Sequence, residues 1–277
     1  MKIGAITNTW QAQLATTSLP QLVERARRRG AEHVELRQGC LGTYEQGGGE
    51  NWSPDSSGLS RLVRMFPMTT FNLAVAYPCL SSEDPAHSSV FLRALDTTVD
   101  MAGSTGPHLR LVDPVRFEGP WEGPGDVPTE ALGVKDLARA SAGRGARLSL
   151  ENAGQPIRSM GILVDMVRES LSPDEGGCLG LCVDPINSLR ADPGSDPIAE
   201  IEALPLDYLF MVHFKQMVDG TMHPTVDDGD LDYPRLVNML KDKGYRGNVV
   251  LEIPSAEEAF DNFVESIRYL EPLLQGE

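Results

Sequence analysis

The chain has 277 residues, enough to bury a sizeable core as one large domain or two small ones. Its 24 Lys and Arg stand against 40 Asp and Glu, and a net charge of −16 repels phosphate backbones and anionic lipid, which sets nucleic acid and membrane surfaces aside as partners. No stretch reaches the roughly 18 apolar residues of a membrane span, and the first apolar run is too short for a secretion signal. Cys40, Cys79, Cys178 and Cys182 lack paired CxxC spacing, so the expectation is a soluble cytoplasmic protein with free thiols.

Residues 2–7 form an apolar run bounded by polar residues and read as a first strand. In LPQLVERARRRG, Leu19, Leu22, Val23 and Ala26 share one helical face, and Gly30 supplies the stop. EHVELRQG reads as a second strand, so a β-α-β rhythm is established early. Residues 38–57 are rich in Gly, Ser and other polar types with no period, and are expected to form a flexible loop or lid at one mouth of the fold. The glycines at 47–49 are no phosphate cradle, because GxxxxGK[ST] and GxGxxG are both absent.

The alternation continues with helices over residues 57–66 and 84–103, strands over 68–76 and 107–114, a Pro/Gly-rich loop over 116–128 and a helix over 129–145. Four further apolar segments each end in a side chain able to bind a metal: ARLSLEN at Glu151, LGLCVDPIN at Asp184, YLFMVHFK at His213 and GNVVLEIP at Glu252. Successive gaps of 33, 29 and 39 residues each suit one strand-helix unit. Eight strands, each followed by a helical segment, point to a single-domain (β/α)8 TIM barrel over residues 1–277 rather than an open doubly wound sheet, whose glycine-rich first turn is missing.

In a closed parallel barrel the strand ends converge at one mouth, which brings Glu151, Asp184, His213 and Glu252 together. Two Glu, one Asp and one His make a mixed oxygen/nitrogen site for one divalent ion, of a kind that suits manganese, magnesium, cobalt or zinc. Taken singly, each residue is better explained by a structural hydrogen bond; taken together, the metal reading leads.

These segments resemble the xylose isomerase-like TIM barrel family, in particular its sugar phosphate isomerase/epimerase group with ketose 3-epimerases and inosose enzymes. The tail carries most of the resemblance: HFKQ, then PTVDDGDLDYPRLVNMLKDKGYRGNVVLEIP, with HVELR similar to the family's second strand. The resemblance implies that Glu151, Asp184, His213 and Glu252 hold one divalent metal and that Glu151 and Glu252 double as acid/base groups. It also implies a small carbohydrate or cyclitol substrate and a homo-oligomer of unspecified size. The chain departs from the family pattern at Asn187, where many relatives carry His, at Gln216, where Asp is usual, and at Asp228, where Glu is more common.

Such a site chelates a carbonyl and its neighbouring hydroxyl while a carboxylate removes a proton from the adjacent carbon. Epimerisation, aldose/ketose isomerisation and elimination all follow from that start, so an isomerase or epimerase stands first. A lyase or dehydratase on a keto-sugar, inosose or dehydroshikimate-like acid is the alternative, and a non-catalytic binding barrel is the reading from another class. Glu35 is a candidate for bonding substrate or the outer nitrogen of a ligand, against a salt bridge to Arg37 or another base. Lys215 shares the inward face of its strand with His213 and is a candidate substrate contact or a partner for a carboxylate. Asn187 is a candidate hydroxyl contact against a helix N-cap, and Trp10 a pocket wall against simple packing. Trp52 and Trp121 are weaker candidates for capping the mouth. His33, His87, His108 and His223 are scattered, unlike the clustered histidines of the three-zinc AP-endonuclease branch.

Overall fold

The computed structural model describes residues 1–81, 88–103, 106–112 and 119–275. His87, the expected start of the 84–103 helix and the first residues of the Pro/Gly-rich loop lie outside these. Eight strands close into a parallel barrel: β1 (Lys2–Ile6), β2 (His33–Arg37), β3 (Thr70–Ala76), β4 (His108–Val112), β5 (Arg147–Glu151), β6 (Leu179–Val183), β7 (Leu209–Phe214) and β8 (Asn248–Leu251). Every strand pairs with its neighbour in sequence, and β8 closes on β1 with Lys2 opposite Asn248 and Ala5 opposite Leu251. The expected (β/α)8 fold is therefore what the chain adopts.

The outer layer comprises α1 (Leu19–Arg27), α2 (Ser56–Met65), α3 (Ser89–Asp100), α4 (Val134–Ala142), α5 (Ile157–Glu169), α6 (Pro185–Ala191), α7 (Pro197–Ala203), α8 (Tyr233–Asp242) and α9 (Ala259–Gln275). α1 shows why these segments are helices. Ser18 and Gln21 form a capping box, Leu19, Leu22, Val23 and Ala26 make one buried stripe, and Gly30, at φ 104, turns the chain back toward β2. Burying such stripes against the outward residues of the strands, Val34, Leu36, Leu73, Leu109 and Leu111 among them, makes the main core.

A small second cluster, Ile6, Cys182, Met211 and Val250, fills part of the barrel interior. A methyl group on Gly4 would meet Val250 and His33 at 3.0–3.1 Å, so glycine lets the floor close. On the outer face, Arg158 of α5 ion-pairs with Glu122, Asp192 and Glu200, and Glu200 accepts from Ser188 of α6 at 2.8 Å.

The segment 38–57 is more ordered than its composition suggests. Glu45–Gln46 pairs with Ser53–Pro54, and the Glu45 carboxylate accepts from the Gly39 and Leu41 amides and from Trp52 Nε1, at 2.6–2.8 Å. A carboxylate that takes three donors organises a loop no periodicity could announce. Trp52 and Trp121 are both buried, the latter with its amide on Ser159 Oγ at 2.8 Å, and among the described residues no two cysteines form a disulfide. No helix among the described residues is long and apolar enough to cross a membrane.

Candidate metal centre

β5 ends on Glu151. Asp184 lies one residue beyond β6, His213 is the penultimate residue of β7, and Glu252 follows the last residue of β8. The segment expected to run as a strand through Asp184 stops at Val183, because Pro185 starts α6 and Asp184 becomes its N-cap. One ligand atom from each of the four residues lies within 4.8 Å of the others.

The geometry distinguishes the two nitrogens of His213. Nδ1 faces Glu252 Oε2 at 3.2 Å and Glu151 Oε1 at 3.6 Å, whereas Nε2 lies 3.3 Å from Glu35 Oε1. A carboxylate behind the outer nitrogen is the usual way to fix an imidazole ligand. Glu35 thus faces the outer nitrogen of His213, and the base it pairs with is not Arg37. It pairs with Arg110, whose Nε and Nη2 donate to Oε1 at 2.8 and 2.5 Å, while Asn72 Nδ2 donates to Oε2 at 2.8 Å. Arg110 Nη1 also donates to Glu151 Oε2.

Lys215 reaches the same space as its place two residues after His213 predicts, with Nζ 2.7 Å from Asp184 Oδ2 and 3.2 Å from Glu252 Oε2. Asn187 is not the helix cap; its amide donates to the cap, Asp184 Oδ1, at 2.9 Å, and its Nδ2 donates to Glu151 Oε1 at 3.1 Å. Trp10 is buried and stacked on Phe260 at 5.4 Å between ring centroids, as simple packing predicts. Gln216 lies behind the site, bonding the carbonyls of Asp227 and Leu231 at 2.8 and 3.0 Å.

Sequence reasoning missed three supports. Asn8 Nδ2 donates to Glu252 Oε1 at 3.0 Å. Asn152 takes the Asp184 amide on Oδ1 at 2.7 Å and donates to the Asp184 carbonyl at 2.9 Å, clamping that backbone from β5. Arg110, fully buried, is the third. A lone charge between Leu109 and Leu111 in a strand buried on both faces was the signal available, since a group so placed requires a partner.

Charges in the cluster are strongly interdependent. Burial pushes Asp184 up and the neighbouring Glu151 and Glu252 add to it, with Lys215 opposing. Burial also works against ionisation of Glu151 and Glu252, yet Arg110 and His213 hold Glu151 low, and Lys215 and His213 hold Glu252 well below the ordinary carboxylate range. His213 is raised despite its burial, Cys182 and Glu35 being the leading causes. Three carboxylates that already hold the Lys215 ammonium among them form a pocket chemically suited to a cation. With one imidazole nitrogen facing in, the donor set fits a divalent ion such as manganese, magnesium, cobalt or zinc.

Comparison with known proteins agrees with the fold. The family described as Xylose isomerase-like TIM barrel matches residues 23–273, and the chain belongs to that family. Among curated proteins, no sequence matches the chain. Similar solved structures include the IolI protein with a bound zinc atom, at 16% identity and TM-score 0.72 over 100% of this chain and 99% of that one. The probable 3-DHS dehydratase AsbF of Bacillus anthracis is 15% identical with TM-score 0.71, over 98% of this chain and 99% of that one. D-allulose 3-epimerase from Methylomonas sp., in complex with D-allulose, is 15% identical with TM-score 0.70, over 98% of this chain and 96% of that one.

Proposed function

We propose that this protein is a divalent-metal-dependent isomerase or epimerase of a sugar or cyclitol. The observation that carries the reading is the convergence of Glu151, Asp184, His213 and Glu252 within 4.8 Å, with the outer nitrogen of His213 backed by Glu35. A divalent ion held there supplies Lewis acidity, polarising a substrate carbonyl and stabilising the negative charge that proton loss creates.

The protein's own groups do the rest. β5 and β8 stand three strands apart in a ring of eight, so Glu151 and Glu252 approach a bound substrate from different strands. One, ionised, can remove a proton from the carbon beside the carbonyl, and the other, once it has taken a proton from water, can return that proton to the opposite face. Asn187 and Lys215 hold the inner oxygens of these glutamates and are placed to bond a substrate hydroxyl. Asn8 Oδ1 is buried with no hydrogen-bond partner, a further acceptor beside Glu252. The solved structures of similar fold include both an epimerase and a probable dehydratase, so elimination is the second reading.

The test begins with metal content. Wild type is expected to bind one equivalent of Mn2+ and His213→Ala to lose it; equal content in both would sink the site. Metal-loaded protein incubated in heavy water with ketoses, inososes and keto-acids, followed by NMR, then separates the outcomes. Deuterium at the carbon beside the carbonyl with inverted configuration supports epimerisation, and an unsaturated product supports the lyase.

A further inference from the structure

Arg110 is a large charged side chain sealed inside the barrel, and each guanidinium nitrogen has a carboxylate partner. Nε and Nη2 grip Glu35 Oε1 at 2.8 and 2.5 Å, and Nη1 holds Glu151 Oε2. Guanidinium only donates, so both carboxylates accept. Asn72 Nδ2 also donates to Glu35, at 2.8 Å, which leaves Asn72 Oδ1 to accept from His33 Nε2 at 2.8 Å. Every direction in this chain is thereby fixed, from His33 to Asn72 to Glu35.

The consequence reaches the metal ligands at two points. Glu35 Oε1 faces His213 Nε2 at 3.3 Å, while Nδ1 is the nitrogen that faces Glu151 and Glu252. Glu151 has Oε2 turned onto Arg110, while Oε1 faces His213 Nδ1 at 3.6 Å. Its carboxylate is therefore presented through one oxygen.

We propose that Arg110 is the positioning residue of the metal centre, setting Glu151 directly and His213 through Glu35. The inference rests on the metal reading above and adds to it a cause for the ligand geometry. It differs from simple charge balance, because a single positive charge anywhere nearby would neutralise two carboxylates, whereas only a planar fork can hold both at fixed angles.

Apo protein titrated with Mn2+ against a chromophoric chelator gives the decisive measurement. Arg110→Gln is expected to weaken Mn2+ binding by about 10- to 100-fold. Arg110→Lys is expected to stay at least about 10-fold weak, since an ammonium restores charge without the fork. Arg235→Gln, a surface control whose partner is Asp196, is expected to bind as wild type. If Arg110→Gln does not fold by circular dichroism, Glu35→Gln/Arg110→Gln, which removes one charge of each sign, carries the test with the same expected loss. A loss under about threefold in whichever glutamine variant folds, or wild-type binding by Arg110→Lys, overturns the proposal. His213→Ala separates the two levels. If it keeps its metal, the site itself fails; if it loses the metal while Arg110→Gln retains it, only the role of Arg110 fails.

Discussion

The two walls of the barrel contribute to one site in different ways. The wall from β5 to β8 supplies all four candidate ligands, each at or next to the end of its strand, over an interior floor that includes Cys182, Met211 and Val250. The wall from β1 to β4 supplies none of the four among the described residues, yet it holds Asn8, Glu35, Asn72 and Arg110, which brace Glu252, His213 and Glu151. One wall bears the chemistry and the other fixes its geometry. Losing a ligand should therefore cost function with little stability, and losing a brace should cost both.

The largest expected effect tests the ligand wall. Glu151→Gln and Glu252→Gln should each lower deuterium exchange into substrate by about 100-fold or more with the urea midpoint nearly unchanged. Exchange at the wild-type rate in either variant would remove that glutamate from proton transfer and break the comparison at its centre.

This contrast also explains what could be read from the residues. The four candidate ligands were legible because each closes an apolar strand and the strand spacing fits βα units, so convergence followed from topology. The braces were not, because Asn72 and Arg110 sit inside strands, where a polar residue in an apolar run gives no hint of its partner. Glu35 lies opposite Asn72 in the β2–β3 register, but that pairing appears only once strand order is known. The turn built by Glu45 was hidden for another reason: its side chain satisfies backbone amides, and such bonds leave no periodicity. Asp184 as a helix cap was masked by the apolar residues on either side of it.

A second effect, in the supporting wall, depends on pH. Burial lowers His33 to about 4 and His108 to about 3, so both are neutral in the folded barrel at neutral pH. The unfolded chain takes up these protons near pH 6.5 and the folded chain only well below it. Stability is therefore complete above 6.5 and falls as the pH drops. Between pH 6.5 and 5 each histidine should contribute a loss of about 2 kcal/mol. Urea denaturation of wild type and His108→Gln across that range checks the sign, with a shallower pH slope expected in the variant. A slope unchanged by the substitution would remove His108 from the account.

The smallest effect isolates a single brace. Asn72→Leu leaves Glu35 Oε2 and His33 Nε2 without their partner in a buried space, at a cost of about 1–3 kcal/mol. Chemical denaturation measures it. Because Arg110 remains on Glu35 Oε1, Mn2+ affinity should fall less than in Arg110→Gln; the reverse order would mean that the amide, not the guanidinium, governs His213.

Asp184 has one further property. As the N-cap of α6 it is attached to the start of a helix, and the Ser188 amide in the next turn bonds its carbonyl at 3.2 Å. Ser188 Oγ in turn reaches Glu200 and so the Arg158 ion pairs at the protein's rim. A sealed candidate ligand is thus joined, through one short helix, to a partly exposed cluster of ion pairs on the outer face.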